Sequence, residues 1–127
     1  MTYYVSSEVD GNFEDVVKRT KNALKAEGFG VLTEIDVQRT LKEKIGEEFR
    51  RYLILGACNP KLAHAALTVE DKIGVLLPCN VIIQEKGQTV EVAAVDPVMS
   101  IGRVDREELL ETAKEVRARL ARVIEAI

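Results

Sequence analysis

The stretch "RRYLILGACNPKLAHAALTVE", Arg50 to Glu70, decides the fold. Its first half is apolar on both alternating faces: Leu53, Leu55 and Ala57 on one, Tyr52, Ile54 and Cys58 on the other. A strand of that kind is covered twice, either by two layers of its own chain or by a partner subunit on the second face. Asn59 then suits a helix N-cap and Pro60 the first helical position, so a helix is expected from Pro60 to Glu70. Cys58 at this junction is one of two cysteines, and His64 inside the helix is the single histidine.

Working outward, "TYYVSSEV" alternates as a first strand and "DGN" turns the chain. Asn12 caps a helix whose apolar stripe is Phe13, Val16, Val17, Thr20 and Leu24, ending near Glu27 with Gly28 as its left-handed cap. "FGVLTEIDV" is the second strand; Leu41 and Ile45 mark a short helix closed by Gly46. "KIGVLLP" reads as either a short strand or an apolar loop. "NVIIQEKGQTVEVAAV" is a hairpin turning at Glu85–Lys86–Gly87–Gln88, and "DPVMSIG" is a loop. Asp105 with Glu108 has the spacing of a capping box, and Val104 with Leu109 that of a hydrophobic staple. Leu109, Ala113, Val116, Leu120, Val123 and Ile127 form one stripe of a long closing helix. The order β-α-β-(α)-β-α-β-β-α predicts an α+β domain, a mainly antiparallel sheet with helices on one side.

A length of 127 residues points to a single domain, 1–127, large enough to bury a core without staples. A hydrophobic fraction of 46% and a charged fraction of 31% are globular values. Net charge is −3 with both signs interspersed and no basic stripe, which argues against a nucleic-acid partner. No apolar run reaches the roughly 18 residues of a membrane helix, and "MTYYVSSEVD" lacks the pattern of a signal peptide, so a cytoplasmic protein is expected. In that compartment the cysteines are thiols in preference to a disulfide. The charge content also suggests a thermostable chain.

The chemistry-bearing residues are few. Cys58 ahead of a helix N-terminus has the placement that favours a thiolate, while its ordinary structural role is a small buried hydrophobe. His64 is either a base or ligand facing Cys58, or an exposed helix residue between alanines. Cys79 enters the strand beyond Pro78; if that strand lies beside the third one, Cys79 approaches Cys58. Cys58, His64 and Cys79, with Met99, would then be a soft-metal set, although no CxxC or HxxxH spacing is present and a structural zinc site wants four ligands. Gly28 and Gly30 do not form a dinucleotide fingerprint, and there is no P-loop.

The fragments "LGACNPKLAHAAL" and "IGVLLPCNVIIQE", with "VDP" at Val95–Pro97 and the closing amphipathic helix, resemble the bacterial and archaeal family catalogued as domain of unknown function 302. The resemblance runs through Cys58, Asn59, Pro60, His64, Leu77, Pro78 and Cys79 and covers essentially the whole chain. It implies a TATA-binding-protein-like fold, β-α-β(4)-α, and a homodimer; the family carries no established activity, and the fold does not imply DNA binding, because fold does not fix function. The expectation is therefore a homodimeric binding or accessory protein with a small-ligand or soft-metal site near Cys58, Asn59, His64, Cys79 and Asn80. The alternatives are a thiol enzyme or sulfur carrier with Cys58 as nucleophile and His64 as base, and an interaction protein without chemistry, in which the two-sided strand and "IGVLLP" serve subunit contact.

Overall fold

The computed structural model describes residues 2–127. Five strands form one sheet: β1 (Tyr4–Val9), β2 (Gly30–Asp36), β3 (Tyr52–Cys58), β4 (Cys79–Lys86) and β5 (Thr89–Val95). Their spatial order is β1-β5-β4-β3-β2, and every neighbouring pair is antiparallel. The helices are α1 (Phe13–Ala26), α2 (Val37–Ile45), α3 (Pro60–Val69) and α4 (Glu107–Glu125). Setting aside α2, α3 and short 3-10 turns, the chain reads β-α-β(4)-α.

Period-two alternation sorts the sheet into two faces. Leu53, Leu55 and Ala57 of β3, Cys79, Val81 and Ile83 of β4, and Val90, Val92 and Ala94 of β5 are buried on one face. They form a single core with Phe13, Val16 and Leu24 of α1 and with Val116, Leu120, Val123 and Ile124 of α4. A smaller cluster joins Ala66 of α3 and Ile73 to Ile101, Leu109 and Ala113, under the chain that links β5 to α4.

The other face carries no helix in this core. A row of aligned residues, Ile35–Ile54–Ile82–Ala93–Ser6, crosses its middle. Beside it Tyr52, Gln84, Glu91 and Glu8 form a second row, in which Gln84 Nε2 donates to Glu91 Oε1 (2.8 Å) and Arg50 Nε donates to Gln84 Oε1 (2.8 Å). Ile35 and Tyr4 are exposed here, and α2 has no buried residue of its own. The two-sided pattern of β3 is thus met on one side only within this chain.

Local signals account for most element ends. Asn12 accepts from Asp15 N (2.8 Å), and Gly28 ends α1 at φ +86° with its N–H donating to Lys25 O. Gly46 closes α2 at φ +69°. Asn59 accepts from Leu62 N at 3.2 Å, and Pro60 opens α3. Two expectations are corrected. "KIGVLLP" is neither strand nor open loop: Asp71–Leu76 is a 3-10 segment that buries Ile73 and exposes Val75. Asp105 does not cap the last helix. A 3-10 turn at Ile101–Arg103 shifts its start, Arg106 takes the cap position without a side-chain cap bond, and Glu108 instead receives Arg106 Nη2 (3.4 Å). The stripe of α4 is as expected from Leu109 to Val123, with Ile124 added to the buried set and Ile127 only partly covered.

Candidate functional site

Register sets the two cysteines one position apart along the β3–β4 ladder. Ala57 of β3 stands directly opposite Cys79 of β4, so Cys58 is the next residue along the ladder. Residues 21 positions apart in the chain thereby become neighbours, as the sequence required only conditionally. Both cysteines, with Asn59, line one cavity of about 20 Å³. Its walls come from four directions: Phe29 after α1, Leu62 and Ala66 of α3, Pro78 before β4, and Val116 of α4. The chain enters β4 through a cis Leu77–Pro78 peptide.

Asn59 belongs to this cavity for two reasons. Its Oδ1 caps α3, and its Nδ2 is held close to the α1 exit: a methyl group on Gly28 would meet Asn59 Nδ2 at 2.9 Å and Arg119 Nη1 at 3.5 Å. Gly28 is therefore required both for its positive φ and for this close approach. Arg119 donates from Nη1 to Glu27 O (3.1 Å) and pairs with Glu115 (3.3 Å), which fixes a guanidinium beside the Asn59 amide.

Both cysteines are free thiols, Cys58 half-buried and Cys79 buried. Burial pushes the Cys58 thiol up from its ordinary value. Cys79 is pushed up to about 11, chiefly by burial and secondarily by the charge Cys58 would carry. Loss of hydration thus outweighs the helix end that favours a thiolate at Cys58. Iodoacetamide trapping against pH should give a Cys58 midpoint above the ordinary thiol range of about 8.5 and a slower Cys79 midpoint near 11. The sign for stability follows: the unfolded thiol ionises first, so Cys79 contributes fully below pH 9 and loses its contribution as pH rises toward about 11. A Cys58 midpoint below 7 would contradict this site.

The remaining sequence candidates lie elsewhere. His64 is exposed on α3, while Leu62, Ala63 and Ala66 face the cavity; its backbone carbonyl accepts from Thr68 Oγ1 (2.8 Å). One helical step of about 100° separates it from Ala63, which is why proximity in sequence does not bring it to Cys58. Asn80 points to the open sheet face, where it lines a shallow cleft with Tyr4, Tyr52 and Ile82. Met99 sits in a 3-10 turn outside the cavity. Among the described residues no group of three or more His, Cys, Asp or Glu side chains gathers as for a metal ion. The sequence reading missed Thr112, Val116 and Arg119, which reach the site from α4; helical periodicity alone marks Val116 as core and gives the others no signal. No helix among the described residues is long and apolar enough to cross a membrane.

Fold and cavity together define a small α+β domain of the TATA-binding-protein-like arrangement, an open antiparallel sheet with helices packed on it. The chain belongs to the family described as "Domain of unknown function DUF302", which it matches over residues 5–127. It is also similar to a solved structure, the uncharacterized conserved protein DUF302 from Bacillus stearothermophilus, at 28% identity and a TM-score of 0.92, covering 99% of this chain and 98% of that one. No curated protein matches the sequence.

Proposed function

We propose that this chain is a cytoplasmic, homodimeric binding or accessory protein whose binding site is the Cys58–Asn59–Cys79 cavity. The observation that carries the reading is that the only two cysteines, from two strands, line one cavity with the Asn cap of α3. Raised thiol pKa values and the outward position of His64 favour reversible binding over nucleophilic catalysis, which needs a thiolate and a base within hydrogen-bond reach. A thiol enzyme or sulfur carrier is accordingly the weaker reading.

The open sheet face supports the homodimer. Five strands at about 4.8 Å spacing and about 20 Å length present roughly 500 Å² in projection, and the accessible area of a side-chain surface exceeds its projection. Val75, 86% exposed, and Leu76 lie next to Asn80 and Val95 and extend the face toward the 3-10 segment. The sum approaches the roughly 800 Å² per partner of a standard interface. The apolar row, with the Lys86–Glu8 pair at one end of the face, is self-complementary enough to suit a second copy turned by a two-fold axis. The same face favours one further reading, an interaction protein without ligand chemistry.

Native mass spectrometry of untagged protein separates these readings. The expected species has twice the chain mass and carries an adduct that Cys58→Ser removes. Ile82→Arg, which would bury an unpaired charge in the contact, is expected to yield monomer at micromolar concentration. A wild-type monomer would overturn the dimer. An adduct-free mass in wild type, or an adduct indifferent to Cys58→Ser, would remove the binding site and leave the interaction reading.

A further inference from the structure

Resting on the reading of the open sheet face as the homodimer contact, we infer that α2 is the arm that completes this contact. The apolar stripe of α2 in each copy packs over the Glu91 end of the partner's open face, about a two-fold axis parallel to the strands.

The first observation is a helix whose apolar side has no cover. Val37, Leu41 and Ile45 recur at every fourth position and so share one side of α2. Yet α2 has no buried residue, and Ile45 is 64% exposed. With 9 residues, α2 is shorter than the roughly 12 at which an isolated helix becomes even marginal in water, so packing of the stripe has to contribute. Its own chain ties the ends: Asp36 Oδ1 accepts from Arg39 N (3.0 Å), and Gln38 Nε2 donates to Phe49 O (3.0 Å). These bonds leave Ile45 in the open.

The second observation is where α2 begins. Asp36 is the ladder partner of Leu53, so Val37 follows at the end of the open-face row that runs from Tyr52 through Gln84 and Glu91 to Glu8. The stripe therefore starts at one corner of that face. A helix of this length is about 13 Å long and about 10 Å across, so it adds roughly 130 Å² of projection to the roughly 500 Å² of the sheet. That is the direction in which the sheet alone falls short of a standard contact.

The third observation is charge. Glu91 is half-buried, accepts from Gln84 Nε2 at 2.8 Å, and pairs with no cationic side chain among the described residues. On α2, Arg39 is tied to Glu43 and Lys42 to Glu48, whereas Lys44 pairs with no carboxylate among the described residues. Lys44 stands one step of about 100° from Ile45, at the flank of the stripe. Sheets packed face to face keep their strands within about 30° of each other, and a two-fold axis running along the middle strand, β4, satisfies this. Such an axis lays the Tyr52–Glu8 row over the same row of the second copy in reverse order. Because β2 and β1 are opposite edges, α2 then lies over the partner's Glu91 and Glu8, and Lys44 meets a carboxylate.

The test measures the dimer dissociation constant by analytical ultracentrifugation of full-length protein, with circular dichroism as the folding check. Ile45→Glu changes a side chain that is exposed within one chain, so the fold should persist while the dimer weakens at least about tenfold, equivalent to about 1.4 kcal/mol. Lys44→Glu and Glu91→Lys should each weaken the dimer, and the two combined should be tighter than either alone. A dimer indifferent to Ile45→Glu overturns the inference, as does a double variant no tighter than the single ones. If Ile82→Arg still gives monomer in those cases, the sheet-face dimer stands without the α2 arm. A wild-type monomer overturns both.

Discussion

Leu55→Ala is expected to lower stability by about 3–4 kcal/mol, within the range for truncating a fully buried leucine. Leu55 is 0% exposed at the middle of β3, and its ladder partners are Glu34 on β2 and Val81 on β4. Neighbouring strands fix its backbone by hydrogen bonds on both sides, so the sheet collapses little toward the vacated volume and the cavity penalty adds to the lost transfer free energy. For a chain of this size the loss corresponds to roughly 10–20 °C in Tm. Guanidinium unfolding of wild type and variant, read by circular dichroism, gives the difference directly. A loss below about 1 kcal/mol would mean that β3 is not the rigid centre of the core.

Gly56→Val is expected to be comparably damaging for the opposite reason, excess volume. A methyl placed on Gly56 would sit 2.1 Å from Thr33 Oγ1 and 2.8 Å from Pro78 Cγ. The threonine can rotate, but the proline ring is fixed in the segment that delivers Cys79. Valine therefore forces β2 and the Pro78 corner apart, costing about 3 kcal/mol or more, at the upper end of overpacking effects. Gly56 lies two residues before Cys58 and Pro78 immediately before Cys79, so the wedge displaces the segments that carry both thiols. Besides the lower Tm, the Cys79 thiol should become accessible to iodoacetamide in the native state. Gly56→Val combined with Thr33→Ala should recover part of the stability and not the thiol protection, because Pro78 is still displaced. Full recovery of both would place the strain on Thr33 alone.

These two residues show how much of the molecule was legible. Leu55 was recognisable as core, because an apolar run bounded by a cap and a proline can only be a covered strand. Gly56 gave no signal. Its role depends on Thr33 and Pro78, 23 and 22 residues away, and no local pattern reports which atoms meet it. The same division runs through the site. The caps at Asn12 and Asn59, the αL glycines at Gly28 and Gly46, and the stripe of α4 are interactions within four residues, and they read correctly. The capping box at Asp105 failed because the 3-10 turn before it, held by the second core cluster, displaced the helix start.

The sequence by itself determined the five strands and four helices, their α+β order, the two-sided apolar character of β3 and the residues with chemical potential. Periodicity and capping are local, and hydrophobic burial enforces them wherever the segment ends up. Only the tertiary structure decided that Cys58, Asn59 and Cys79 share a cavity while His64 and Asn80 do not. That outcome follows from the β3–β4 register, where Ala57 faces Cys79, and from the rotation of α3 about its axis. A shift of one residue in register would send Cys79 to the opposite face. Such a choice is made by the packing of the whole core, which no single stretch of the chain contains.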